Sequence, residues 1–137
     1  MISQYGKFFS YLLSQNDGAT LWHCAVGKDR VGIASALLLK MLGVDDETIY
    51  ADYMQTNINI AQKLLLEANE FLIDLPEGAE KDLLRERYLV MFSSRPSHLS
   101  AFFDSMKSRF GSLENGFLDG LGLTLEKITQ LKNMYLE

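Results

Sequence analysis

Residues 21–43 read LWHCAVGKDRVGIASALLLKMLG, and the architecture of the chain turns on them. The one cysteine of the sequence, Cys24, closes a short apolar run, and a charged loop with Gly27, Lys28, Asp29, Arg30 and Gly32 follows it. Beyond the loop, Val31 to Leu42 is apolar on nearly every side, which predicts an enclosed, central helix. Ahead of it, ATLWHC (19–24) is apolar, with a β-branched residue and an aromatic, and it follows an Asn16-Asp17-Gly18 turn signal. That pattern predicts a buried strand.

A strand–loop–helix of this build handles anions. Between Cys24 and Arg30 the backbone can curl so that the N–H groups of Ala25, Val26, Gly27, Lys28, Asp29 and Arg30 form an inward-facing nest at a helix N-terminus. Gly27 permits the tight turn and the close approach of a ligand, and Gly32 permits tight packing in the first helical turn. The same donors favour a thiolate, so Cys24 is the candidate nucleophile. Arg30 offers a planar fork that grips two phosphate oxygens and follows the charge into the transition state. The implied chemistry is phosphoryl transfer to sulfur, then hydrolysis of the cysteinyl-phosphate by water.

Blander readings compete. A single buried cysteine is usually a small apolar filler, but the joint occurrence of His23, Gly27, Lys28, Arg30 and Gly32 with the flanking elements outweighs it. A nucleotide-binding G-x-x-x-x-G-K-[ST] loop fails twice, at Trp22 and at Asp29. A zinc site is no better, with one cysteine and two widely separated histidines. No metal and no cofactor is expected.

Composition narrows the rest. A chain of 137 residues has room for one domain, 1–137. An apolar fraction of 47% excludes a mostly disordered chain, and a net charge of −5 gives no basic field for nucleic acid or an anionic membrane. The N-terminus lacks a basic n-region and a cleavage site, so no signal peptide is expected. Val31 to Leu39 is too short to span a bilayer. The expectation is a cytoplasmic domain without stable membrane insertion, secretion being left open.

Outward from the loop the pattern is helical. ISQYGKFFSYLLSQ places Tyr5, Phe8, Phe9, Leu12 and Leu13 on one face. Gly43 suits the C-terminal cap of the central helix, and Asp45 suits the N-cap of the next, with Asp46 and Glu47 in its first turn. Further helices are expected at about 46–56, 58–73, 79–91, 97–110, 113–119 and 124–136. In the fourth of these, Leu99, Phe102, Phe103, Met106 and Phe110 recur at helical spacing and read as core. One strand makes no sheet, and its N–H and C=O groups need partners. Either weak strands escape the pattern, or the partners lie outside these residues, on another chain or on an N-terminal segment. The expected class is α/β, with most of the sheet outside these residues.

HCAVGKDRVG resembles the H-C-x-x-G-K-D-R-[ST]-G signature of the bacterial tyrosine-protein phosphatases, a branch of the cysteine-based phosphatases. IASALLLKMLGVDDETIYADYMQTN (33–57) resembles the helices after the loop in that family. FGSLENGFLDGLGLTLEKITQLKNMYLE (110–137) resembles its C-terminal ending. The likeness covers essentially the whole chain but corresponds to the C-terminal half or so of a usual member. It implies a protein-tyrosine-phosphatase-like fold whose sheet is completed by an N-terminal fragment or a second chain. It also implies a phosphorylated protein or a phosphoinositide as substrate.

The resemblance carries roles only where letters match. Cys24 is the nucleophile and Arg30 the phosphate clamp. Asp29 either protonates the leaving oxygen or orients Arg30. Lys28 adds positive charge at the mouth, against the alternative of a solvated surface lysine. His23 shapes the loop by hydrogen bonding or is simply structural. Asp52, Tyr53 and Asn57 match a recurring D-Y…N stretch and support the loop from behind. Val31 is the departure: the family has Ser or Thr there, a hydroxyl expected to stabilise the departing thiolate when the phosphoenzyme is hydrolysed. Two readings stay open, an active but slowed phosphatase and a phosphate-binding module or pseudophosphatase. A thiol reductase would want a resolving cysteine, and the sequence has none.

Overall fold

A computed structural model describes residues 2–15 and 17–136. Helix α1 (Ile2–Ser14) buries Tyr5, Phe9 and Leu12, the expected face, with Phe8 and Leu13 packed at its margin. Helix α2 (Arg30–Leu42) is the central one, with Ala34, Ala36, Leu37, Leu38 and Met41 buried. Its run of apolar residues has no polar face because α3 and α7 both pack on it. Gly43 ends it in the left-handed region at φ +90°. Gly43 N then donates to Lys40 O (3.2 Å) and Val44 N to Leu39 O (3.0 Å), satisfying carbonyls of the last turn.

Helix α3 (Asp46–Phe71) starts where expected, the Asp45 carboxylate accepting from Thr48 N at 2.9 Å. It then runs unbroken, where two helices were expected. No Gly or Pro occurs between Asp46 and Phe71, and the polar Asn57 does not compete with its own backbone because its amide is taken up by Ser94. Helix α4 (Ala79–Phe92) returns against α3, and Pro96 opens α5 (Pro96–Phe110), which buries Leu99, Phe103 and Met106. Phe102 is half-buried, its ring edge-on to Tyr5 at 5.9 Å.

A single helix expected at 113–119 is instead a short α6 (Leu113–Asn115), capped by Ser112, that widens into a π-helical segment, Gly116–Gly120. Two glycines let that segment approach α5: a Cβ at Gly120 would stand 2.9 Å from the Phe110 ring, and Gly116 lies against Met106. Helix α7 (Leu125–Tyr135) closes the layer over α1 and α2, with Leu131 fully buried.

The expected strand is the main correction. Residues 19–24 carry no regular secondary structure, and no strand occurs among the described residues. A strand is defined by its ladder of inter-strand hydrogen bonds, and none is formed with residues 19–24 among the described residues. The segment is held by its side chains instead. Trp22 Nε1 donates to Ser35 Oγ of α2 at 3.2 Å, and its ring meets Phe8 of α1 edge-on at 5.5 Å. Among the described residues no helix is long and apolar enough to cross a membrane.

Candidate active site

Trp22 anchors one side of the loop and α2 the other, so Cys24 is delivered to the N-terminal end of the central helix. Gly27 takes φ +80°, a conformation that other residues adopt at a cost. With that turn made, Gly27 N points back at Cys24 Sγ, 3.3 Å away. The N–H groups of Val31 and Val26 also face the sulfur. Burial is the largest single influence on the thiol and pushes its pKa up. The N–H groups of Val31, Val26 and Gly27, together with the Arg30 charge, outweigh it and hold the pKa below the ordinary cysteine value.

Arg30 opens α2 and is exposed. It shares a pocket of about 290 Å³ with Tyr5, Phe8, Trp22, His23 and Val31. Among the described residues its guanidinium takes part in no ion pair. Asp29 is also exposed, and its carboxylate lies 3.8 Å from Lys28 Nζ rather than on Arg30. Lys28 does not stand in the mouth. It is buried, and its Nζ donates to the carbonyl of Met91, in the last turn of α4, at 3.1 Å.

Behind the loop, α3 supplies two contacts. The ring of Tyr53 lies so close to Gly32 that a Cβ there would stand 2.8 Å from it. One turn on, the Asn57 amide grips the junction between α4 and α5, donating to Ser94 O (2.9 Å) and accepting from Ser94 N (2.6 Å). The buried Ser94 hydroxyl approaches the Tyr53 phenol without reaching the geometry of a full hydrogen bond. Among the described residues no group of three or more His, Cys, Asp or Glu is placed to hold a metal.

Residues 2–137 match the model of the tyrosine phosphatase family. The chain belongs to that family. It is 30% identical over 134 residues to a tyrosine-protein phosphatase of Nostoc commune, covering 94% of this chain and 43% of the relative. It is 28% identical over 121 residues to the triple specificity protein phosphatase PtpB of Mycobacterium tuberculosis, covering 85% of this chain and 43% of the relative. The chain therefore spans less than half the length of these relatives.

For this member of the tyrosine phosphatase family, Val26, Gly27 and Arg30 of the expected cradle act on Cys24, Tyr53 packs on Gly32 behind the loop, and Asn57 holds Ser94. Asp52 does not join them: it is exposed, and its carboxylate makes no hydrogen bond or ion pair among the described residues. His23 is exposed at the pocket edge, likewise without a recorded hydrogen bond. Val31 reaches the site through its main chain, since its N–H faces the sulfur while its side chain lines the pocket. Three residues escaped the sequence reading. Tyr5, read only as core, lies near enough to Arg30, Asp29 and Cys24 to feel their charges, although burial is the larger influence raising its pKa. Met91 and Ser94 act through backbone atoms, which leave no trace in residue type.

Proposed function

We propose that this chain carries the catalytic loop of a phosphatase that hydrolyses phosphomonoesters through a cysteinyl-phosphate. One observation carries the reading: the Gly27 N–H points at the Cys24 sulfur from 3.3 Å, and the N–H groups of Val31 and Val26 and the Arg30 charge add to it in favouring the thiolate. The thiolate attacks phosphorus, the P–O bond to the substrate breaks, and Arg30 holds two of the phosphoryl oxygens. The leaving oxygen takes its proton from Asp29, whose exposed carboxyl is open to a bound substrate, or from water. A water molecule then attacks phosphorus, the S–P bond breaks, and inorganic phosphate leaves as the thiolate is restored.

Phosphotyrosine is the substrate class that family membership suggests; phosphoserine, phosphothreonine and phosphoinositides are the further candidates. The net charge of −5 argues against nucleic acid as a partner, and the cytoplasm suits a site that depends on a reduced thiol. Residues 19–24 are proposed to become a strand against the rest of a longer protein or a second chain. Side chains there alternate in burial, with Trp22 and Cys24 half-buried and Leu21 and His23 exposed, Leu21 by 88%. The relatives' greater length leaves room for the missing strands.

The test is turnover of para-nitrophenyl phosphate with acid-quench trapping of a phosphoenzyme. Cys24→Ser is expected to abolish both turnover and trapped phosphate. Turnover that survives Cys24→Ser would remove the reading. A phosphate-binding module is the second reading, favoured by the missing hydroxyl at Val31; it predicts inorganic phosphate binding with neither turnover nor trapping.

A further inference from the structure

Lys28 is 8% exposed, and a buried ammonium needs partners. Its Nζ finds the Met91 carbonyl at 3.1 Å and the Asp29 carboxylate at 3.8 Å. Met91 belongs to the last turn of α4, where carbonyls lack intrahelical partners and the helix dipole presents its negative end. The last turn of α4 contains no basic residue of its own. The cation that complements this helix end therefore comes from the phosphate loop.

The same junction is held from a second direction. Asn57 of α3 takes both the N–H and the C=O of Ser94, and Tyr53, one turn before it, packs on Gly32 at the start of α2. The contacts close a ring that leaves the loop at Lys28, crosses the end of α4 to Ser94, passes through Asn57 and Tyr53, and re-enters beside the loop at Gly32.

We infer that Lys28 is a positioning residue, which braces the phosphate loop against the C-terminal end of α4 and acts on Cys24 and Arg30 through that brace rather than by touching the substrate. The inference rests on the phosphatase reading of the loop. A lysine in direct contact with phosphate would act alone, whereas a brace is shared with Asn57, which brings no charge.

The experiment follows alkylation of Cys24 by iodoacetamide against pH, and its protection by inorganic phosphate. In the unmodified protein, alkylation at neutral pH and protection by phosphate are expected; their absence would remove the phosphatase reading itself. Given those, Lys28→Met and Asn57→Ala should each weaken phosphate protection by about fivefold and move the alkylation profile to higher pH, and the double variant should be no worse than the stronger single one. Lys28→Arg, which keeps a donor, should recover most of the protection. Additive losses, or a silent Asn57→Ala, would instead make Lys28 a direct phosphate contact. Amide exchange across residues 92–95, measured without phosphate, is a second readout. It should quicken in Lys28→Met, and unchanged exchange there overturns the brace even if Asn57→Ala does not fold.

Discussion

The main-chain N–H of Gly27 points at the sulfur of Cys24 across 3.3 Å, three residues back along the chain. Together with the N–H groups of Val31 and Val26 and the Arg30 charge, that contact holds the thiol pKa below its ordinary value, although burial alone would do the reverse. Alkylation of Cys24 should therefore rise with pH at a lower midpoint than in the same chain unfolded in urea, where an ordinary thiol titrates near about 8.5. Because the folded pKa lies below the unfolded one, the thiolate adds stability above the unfolded value, and that contribution is lost as pH falls through the folded pKa. Arg30→Ala should shift the alkylation midpoint upward. Coincident folded and unfolded profiles would show that the cradle does not act on the sulfur.

Gly27→Ala isolates the turn. At φ +80° a Cβ meets nothing within 4 Å, so the penalty is one of backbone conformation alone, ~1 kcal/mol. The expected result is a small fall in Tm together with a marked loss of turnover and phosphate binding, since a relaxed loop no longer aims its N–H at Cys24. A variant with native turnover would mean that the left-handed turn is dispensable.

Gly32→Ala probes the support behind the loop. The new Cβ would collide with the Tyr53 ring at 2.8 Å, and Tyr53 is buried, so ring or helix must shift at a cost of about 1–3 kcal/mol. Denaturant unfolding should show that loss. Tyr53→Leu vacates the ring, so Gly32→Ala should cost clearly less in that background. Equal costs in the two backgrounds would place the strain elsewhere.

What could be read from the letters was local. Gly43 as a helix stop, Asp45 as a cap and the apolar run of α2 follow from propensity and spacing within a few residues, and all three stand as expected. The loop was legible for the same reason, because Cys24, Gly27 and Arg30 are neighbours. The strand at 19–24 was not, since a strand depends on a partner rather than on its own composition. The continuity of α3 was missed because Asn57 looks like a break until its amide is seen to be occupied by Ser94, 37 positions away. Lys28 looked like a solvent-facing or substrate-facing charge; its partner is a main-chain carbonyl 63 positions on, which residue identity cannot signal.

Val31 offers the sharpest test of how the loop turns over. Its N–H already faces the Cys24 sulfur, so the first step, which needs a stabilised thiolate and a bound phosphate, is served by the main chain. The second step expels that thiolate from phosphorus, and here a side-chain hydroxyl could donate to the leaving sulfur while valine cannot. Wild-type protein should therefore release a burst of para-nitrophenol and then turn over slowly. Val31→Thr should abolish the burst and raise kcat by about tenfold, the effect of about 1.4 kcal/mol on the second barrier. The added hydroxyl enters a half-buried position beside Trp22 and Ala34, so a modest loss of stability is expected alongside the gain in rate. Rapid-quench measurement separates the two steps: an unchanged kcat with no burst in either protein would mean that hydrolysis of the phosphoenzyme does not limit this site.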